Sequence, residues 1–153
     1  MLVKVHTTSV NAVDIIFRTG EKKLYGLTKF MIGFKRPKEN ILGIDVSGKV
    51  ESLGENVTKF KVGDVIYGVK GPKPGTKAEY CCISEEWVAK KPVNMSNAET
   101  AAVPNTPCTA LIGLKDKVGI QERQKAFIYG ASGSVGTFAI QIAKLFTSDG
   151  NAV

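Results

Sequence analysis

Apolar and polar positions divide the chain into stretches of different period. Val3 and Val5 alternate with Lys4 and His6 in a β-branched run, which predicts a strand over residues 2–6. That run starts at full strength on the second residue with no turn ahead of it, so a preceding strand is expected to be missing. Val13, Ile16 and Phe17 follow at helical spacing, with Gly20 placed to stop a short helix over 11–20. Residues 21–40 are basic and dotted with apolar positions around Gly26, Gly33 and Pro37, which predicts a long loop. Ile44, Val46, Gly48 and Val50 then alternate with Asp45, Ser47, Lys49 and Glu51, the pattern of a strand with one buried face. Two further strand regions, 62–68 and 78–88, flank a loop holding Gly71, Pro72, Pro74 and Gly75. Short strands at this spacing predict a small barrel or sandwich.

After Pro92 the pattern becomes helical. Ser96-Asn-Ala-Glu99 is a capping box, and Pro104 closes the helix it opens. Thr106 is placed to cap a second helix with Pro107 at its first position, where Ala110, Leu111 and Leu114 make the apolar face. Residues 126–129 form a short apolar run of the kind buried in a parallel sheet. Val135, Phe138, Ala139, Ile142, Ala143 and Phe146 then return to helical spacing.

Between that run and that helix stands Gly130-Ala-Ser-Gly-Ser-Val-Gly136. Strand, glycine turn and helix in this order are the arrangement in which backbone approaches a pyrophosphate held at a helix N-terminus. Ala131, Gly133 and Gly136 take the three fingerprint places, and Gly130 supplies the backbone freedom that Ala131 lacks. The ribose-binding residue of that fingerprint falls about 20 residues further on, past Val153. One strand-helix unit cannot bury both faces of a parallel strand, so the sequence reads as truncated and inactive as it stands.

Charge and cysteine usage narrow the picture. Lys and Arg total 21 against 14 Asp and Glu, a net +7 that favours anionic ligands such as a phosphorylated cofactor. The basic residues are dispersed, with only Lys35-Arg36 and Lys90-Lys91 as tight pairs and no interleaved aromatics, so no specific nucleic-acid partner is expected. Cys81, Cys82 and Cys108 show neither disulfide nor zinc spacing and read as buried thiols; His6 reads as a strand residue. With no leader or membrane span in view, Asn56-Val-Thr58 and Asn94-Met-Ser96 are glycosylation patterns without a compartment, and the expected location is cytoplasmic.

The ordered blocks together resemble the zinc-independent, quinone-oxidoreductase-like branch of the medium-chain dehydrogenase/reductase superfamily. They are Val3-Lys-Val-His-Thr-Thr-Ser-Val-Asn-Ala-Val-Asp14; Leu42-Gly-Ile-Asp-Val-Ser-Gly-Lys-Val50 with Phe60-Lys-Val-Gly-Asp-Val-Ile-Tyr-Gly68; Ala101-Ala-Val-Pro104 with Thr109-Ala110; and Tyr129-Gly-Ala-Ser-Gly-Ser-Val-Gly136. The resemblance implies a mixed β and α/β fold. A GroES-like β-barrel catalytic domain over 1–104, lacking its N-terminal strands, precedes a linking helix and the first strand-helix unit of a Rossmann domain over 105–153. An active site is implied in the cleft between them.

In zinc-dependent relatives a cysteine, a histidine and a second cysteine or acid hold a catalytic metal, and the motif puts Asn11, Ile44 and Asn105 in those places. No zinc is therefore expected. The resemblance makes Asn11 and Asp14 catalytic. It gives NADP or NAD to Asn11, to Thr109 at the nicotinamide end, and to Gly130, Ala131, Ser132, Gly133, Ser134, Val135 and Gly136 at the pyrophosphate. Plainer readings stand beside these: Asn11 as a helix cap, Thr109 as an interior helix hydroxyl, Asp14 as a surface acid. Tyrosines that stand near the Asp14 motif in quinone-reducing relatives are replaced here by Ile16 and Lys22. The implied chemistry is hydride transfer to a small electrophile, an activated carbonyl or conjugated alkene, in a full-length homodimer with no membrane partner. The rival reading is a non-catalytic nucleotide- or RNA-binding module.

Overall fold

A computed structural model describes residues 1–19 and 40–147. The helix stop at Gly20, the loop over 21–39, the Lys35-Arg36 pair and Lys22 lie outside the described residues. The described chain divides into two compact units, Met1–Ala102 and a second that begins at Val103.

The first unit is built on five strands: β1 (Leu2–Thr7), β2 (Asp45–Ser52), β3 (Val65–Val69), β4 (Tyr80–Cys82) and β5 (Val88–Lys90). Their order in the sheet is β4-β1-β2-β3-β5, and every pair is antiparallel. β4 and β5 stand at opposite edges although only residues 83–87 separate them, three of which are wound into a 3₁₀ turn, Glu85–Trp87. Four interstrand steps of a flat sheet span about 19 Å, more than about 16 Å that such a link covers. The sheet therefore curls towards a barrel.

Two glycines permit that curl. A side chain on Gly48 would strike the Lys4 carbonyl, and one on Gly68 would strike the Trp87 carbonyl and the Val88 Cα. The core inside the curl is Val3, Val46, Val50, Ile66, Cys81 and Ile83, closed by Met1, Val5, Phe60 and Val88. Burial of each large aliphatic here stabilises by about 1.5–3 kcal/mol.

The expected open edge at Leu2 is not there. Leu2, Val3 and Lys4 pair with Cys82, Cys81 and Tyr80 on one side, and β2 covers the other. Met1 and Val5 extend the pairing through bonds with Ile83 and Glu79. A strand late in the sequence fills the place next to the first, which local pattern does not show. The one-faced reading of β2 is also corrected: Asp45 and Ser47 on its polar face are 3% and 0% exposed. Ser47 is covered by helix α2 (Asn97–Ala102; α1 is Ala12–Thr19), through its bond to Asn97 Oδ1 at 3.1 Å and one from Thr100 at 3.0 Å. The capping box forms as its spacing predicts, with the Ser96 amide on Glu99 at 2.7 Å and the Glu99 amide on Ser96 Oγ at 3.2 Å. Only Cys81 is buried; Cys82 and Cys108 are exposed. Burial raises the Cys81 thiol pKa, with the Lys70 charge acting against it.

In the second unit α3 (Asn105–Leu111) continues into a wider π-helical stretch, Ile112–Val118, that ends on left-handed Gly119. Pro104, not Thr106, precedes the first turn, because the helix starts two residues earlier than the Thr-Pro pair suggests. Helix α4 spans Ser134–Phe146. The strand expected over 126–129 is reduced to an isolated bridge at Ala126. Ala126 and Ile128 pack with Ile120, Ala143, Leu114 and Phe146, whereas Phe127 and Tyr129 are 87% and 94% exposed. Among the described residues only one face of this segment is covered, and a parallel strand buries both faces only when helices pack on each side of its sheet. No helix among the described residues is long and apolar enough to cross a membrane.

Candidate functional site

In the first unit three segments meet around Asn11: the 8–14 stretch leading into α1, the Gly43–Asp45 entry to β2, and the turn after β3. Asn11 caps α1, its Oδ1 accepting the Val13 amide at 2.9 Å. Its Nδ2 donates to Asp45 Oδ2 at 2.8 Å, and its main-chain amide donates to Asp14 Oδ2 at 3.0 Å. The helix-cap reading of Asn11 is thus observed.

Asp14 is buried, not the surface acid of the plainer reading, at 4% exposure. The helix brings it beneath Asn11. Its Oδ1 accepts the Gly43 amide at 2.9 Å and its Oδ2 pairs with Lys77 at 3.1 Å. Gly43 has φ of +92°, and a side chain there would run into Thr76 Oγ1 and, at 2.9 Å, the Lys77 amide. Its carbonyl accepts the Gly75 and Thr76 amides. Asp14 therefore ties α1 to two loops and is fully hydrogen-bonded, as a buried carboxylate must be.

Asp45 was not singled out from the sequence. It accepts Ser9 Oγ at 2.5 Å beside Asn11, and its carbonyl accepts Thr8 Oγ1, which also meets Thr76 Oγ1 at 2.8 Å. The available signal was slight: an acid between the apolar Ile44 and Val46, at a position that the alternating pattern assigns to the polar face. Ile44 itself is 6% exposed and offers only hydrocarbon. Among the described residues no three His, Cys, Asp or Glu side chains are grouped to hold a metal. His6, on β1, is exposed and meets Asn97 Nδ2 through Nδ1 at 3.2 Å. A separate pocket of about 410 Å³ beside Lys70, Tyr80 and Cys82 includes none of the predicted site residues.

In the second unit Gly130 has φ of +77° and its carbonyl accepts the Gly133 amide at 3.0 Å. This turn brings Gly130 and Ala131 against the first turn of α4. A side chain on buried Gly136 would collide with the Gly130 carbonyl and come within 2.7 Å of the Ala131 Cα. Gly133 is the N-cap, with no side chain capping the helix, and Ser132, Gly133, Ser134 and Val135 are exposed. Uncapped amides at the positive end of a helix suit an anion, so these residues fit a pyrophosphate. Thr109 lies exposed on α3 with its hydroxyl on the Asn105 carbonyl at 2.8 Å. Asn105, the third zinc-ligand place, is the first residue of that helix. Asn11 and Ile44 do not fit a zinc site, since one carries no donor atom and the other has its carboxamide engaged.

Residues 1–93 match the alcohol dehydrogenase GroES-like domain family. The human mitochondrial NAD(P)H oxidoreductase RTN4IP1 is 34% identical over all of this chain, which covers 41% of its length. The 2-methylene-furan-3-one reductase of Solanum lycopersicum is 36% identical over 94% of the chain and 36% of its own. The quinone oxidoreductase structure from Coxiella burnetii superposes with a TM-score of 0.77 at 31% identity, over 95% of this chain and 44% of that one. The chain thus spans about two fifths of the length of such relatives. A curled antiparallel sheet ahead of a glycine turn and helix, in the sequence blocks matched here, places the chain in the alcohol dehydrogenase GroES-like family of the medium-chain dehydrogenase/reductase superfamily, among quinone-oxidoreductase-like members.

Proposed function

We propose that the protein to which this chain belongs is a zinc-independent NAD(P)H-dependent oxidoreductase that reduces an activated carbonyl or conjugated alkene. The observation that carries this reading is the Asn11 cluster, a fixed carboxamide beside a buried aliphatic at the positions that the resemblance gives to metal ligands. Without a Lewis acid, charge on a reacting oxygen is stabilised by hydrogen-bond donors fixed in advance, and Asn11 is such a donor.

When bound, the dihydronicotinamide supplies the hydride. The amides of Ser132, Gly133, Ser134, Val135 and Gly136 would hold the pyrophosphate, Thr109 would serve the nicotinamide end, and Gly130 and Ala131 shape the turn. Asp14 fixes the Asn11 backbone. Negative charge that would gather on the substrate oxygen during reduction would be met by the Asn11 N–H, with water as the source of the proton that completes it. The tomato relative, a 2-methylene-furan-3-one reductase, supports the conjugated-alkene arm; the Coxiella structure supports the quinone arm. Cytoplasmic location, a homodimer and the absence of nucleic-acid or membrane partners belong to the same proposal. So does the expectation that residues 1–153 alone do not turn over, since the adenosine half of a Rossmann site rests on further parallel strands.

The test is NAD(P)H oxidation by the full-length protein with quinones, enals and enones, read as loss of the reduced-nicotinamide absorbance. Turnover with at least one electrophile is expected. Failure with all of them, together with RNA binding that weakens steeply with salt, overturns the enzyme reading in favour of a binding module.

A further inference from the structure

An Asn carboxamide has two donor hydrogens and an acceptor oxygen. In Asn11 the oxygen takes the Val13 amide at 2.9 Å and one hydrogen goes to Asp45 Oδ2 at 2.8 Å. Turning the group over would set its oxygen against a buried carboxylate and its NH₂ against a main-chain N–H, two repulsive contacts in place of two bonds. The orientation is therefore dictated by the partners. Among the described residues the second Nδ2 hydrogen meets no acceptor, and Asn11, unlike Asp45, is only half-buried.

Asp45 is itself held rigidly. It is 3% exposed, its Oδ2 also takes the Ser9 hydroxyl at 2.5 Å, and its carbonyl takes Thr8 Oγ1 at 2.8 Å. A valine or threonine would satisfy the strand at less cost in desolvation, since a buried charge needs dedicated partners. What a carboxylate adds is a charge-assisted bond strong enough to fix the direction of the amide, while the Val13 amide on the carbonyl oxygen polarises the group towards donation.

We propose that Asp45 is a positioning residue that locks the Asn11 carboxamide, so that one Nδ2–H is aimed at the substrate oxygen on which negative charge gathers during hydride transfer. This rests on the hydride-transfer reading and deepens it. The site selects substrates by an acceptor oxygen, as in a quinone, enal or enone, and gives no help to a substrate that offers only a donor.

The test uses the full-length protein with Asn11→Ala, Asp45→Leu, Asp45→Asn and the Asn11→Ala/Asp45→Leu double variant, with NAD(P)H and an enone or quinone. Asn11→Ala is expected to lower kcat by about 100-fold, the scale of losing one donor at a developing oxyanion. Asp45→Leu should cost about tenfold or more with KM for NAD(P)H nearly unchanged, Asp45→Asn should recover part of it, and the double variant should be no worse than Asn11→Ala. If the two losses multiply, or if Asp45→Leu keeps full kcat, the proposal is overturned. Should Asp45→Leu fail to fold, Asp45→Asn carries the comparison. A readout free of turnover separates the two ideas: the Asn11 side-chain amide protons in NMR should be widely split and slow to exchange, should converge in Asp45→Leu, and should converge only in part in Asp45→Asn. A wild type inactive on every electrophile but showing that pattern removes the hydride reading and leaves the lock standing; an unsplit, fast-exchanging pair in the wild type removes the lock.

Discussion

The Lys77 ammonium sits 3.1 Å from the Asp14 carboxylate, the lysine side chain 28% exposed and the aspartate 6%. Asp14 also holds the Asn11 and Gly43 amides, so the two partners are not equivalent. Lys77→Met leaves the carboxylate two donors and should cost about 1–2 kcal/mol. Asp14→Leu strands those amides and the ammonium and should cost about 3–5 kcal/mol. Urea unfolding measures both, and equal losses would mean that the lysine, not the amides, secures the acid.

Gly136→Ala should weaken NADPH binding by about tenfold or more, because the added carbon meets the Gly130 carbonyl and pushes the turn off the helix end. Gly54→Ala has open space around it and should bind as the wild type does. Calorimetry on the folded variants checks this; equal affinity for Gly136→Ala would take the turn out of the cofactor site.

Zinc should be absent from the gently purified protein by elemental analysis. Stoichiometric zinc that disappears on replacing Cys81, Cys82 or Cys108 would show that the ligand places at Asn11, Ile44 and Asn105 were wrongly matched.

Glu85 takes the Lys59 amide at 2.8 Å and the Thr58 amide at 3.0 Å, which hold its pKa below that of an ordinary glutamate. A depressed folded-state value means that the stabilisation is whole above the unfolded pKa, about 4.3, and fades as pH falls through the folded one. Glu85→Gln should therefore unfold at lower urea than the wild type near pH 7, and the gap should close on acidification to about pH 3. Glu99, lowered by the Ser96 amide and hydroxyl, should behave alike. A gap that widens in acid would contradict the assignment.

Local chemistry made much of this protein legible. The Ser96–Glu99 box starts its helix because both partners lie within one turn, and the stripe from Ala139 to Ala143 is buried as its period requires. The glycine turn was readable for the same reason: Gly130, Ala131 and Gly136 meet through a handful of bonds along the chain.

Asp45 was not legible, and neither was the cover on β1. Whether an acid in a strand faces water or a carboxamide depends on what a segment more than thirty positions away brings to it, and nothing in the residues beside Asp45 carries that information. β4 pairs with β1 because the sheet curls until its late strand lies beside its first, a closure set by the summed twist of all the strands. Period and capping follow from neighbours within a few residues and are determined by sequence alone. Pairing across the sheet, and the burial of charge that gives Asn11 its fixed direction, follow from long-range packing, and only the tertiary structure decides them.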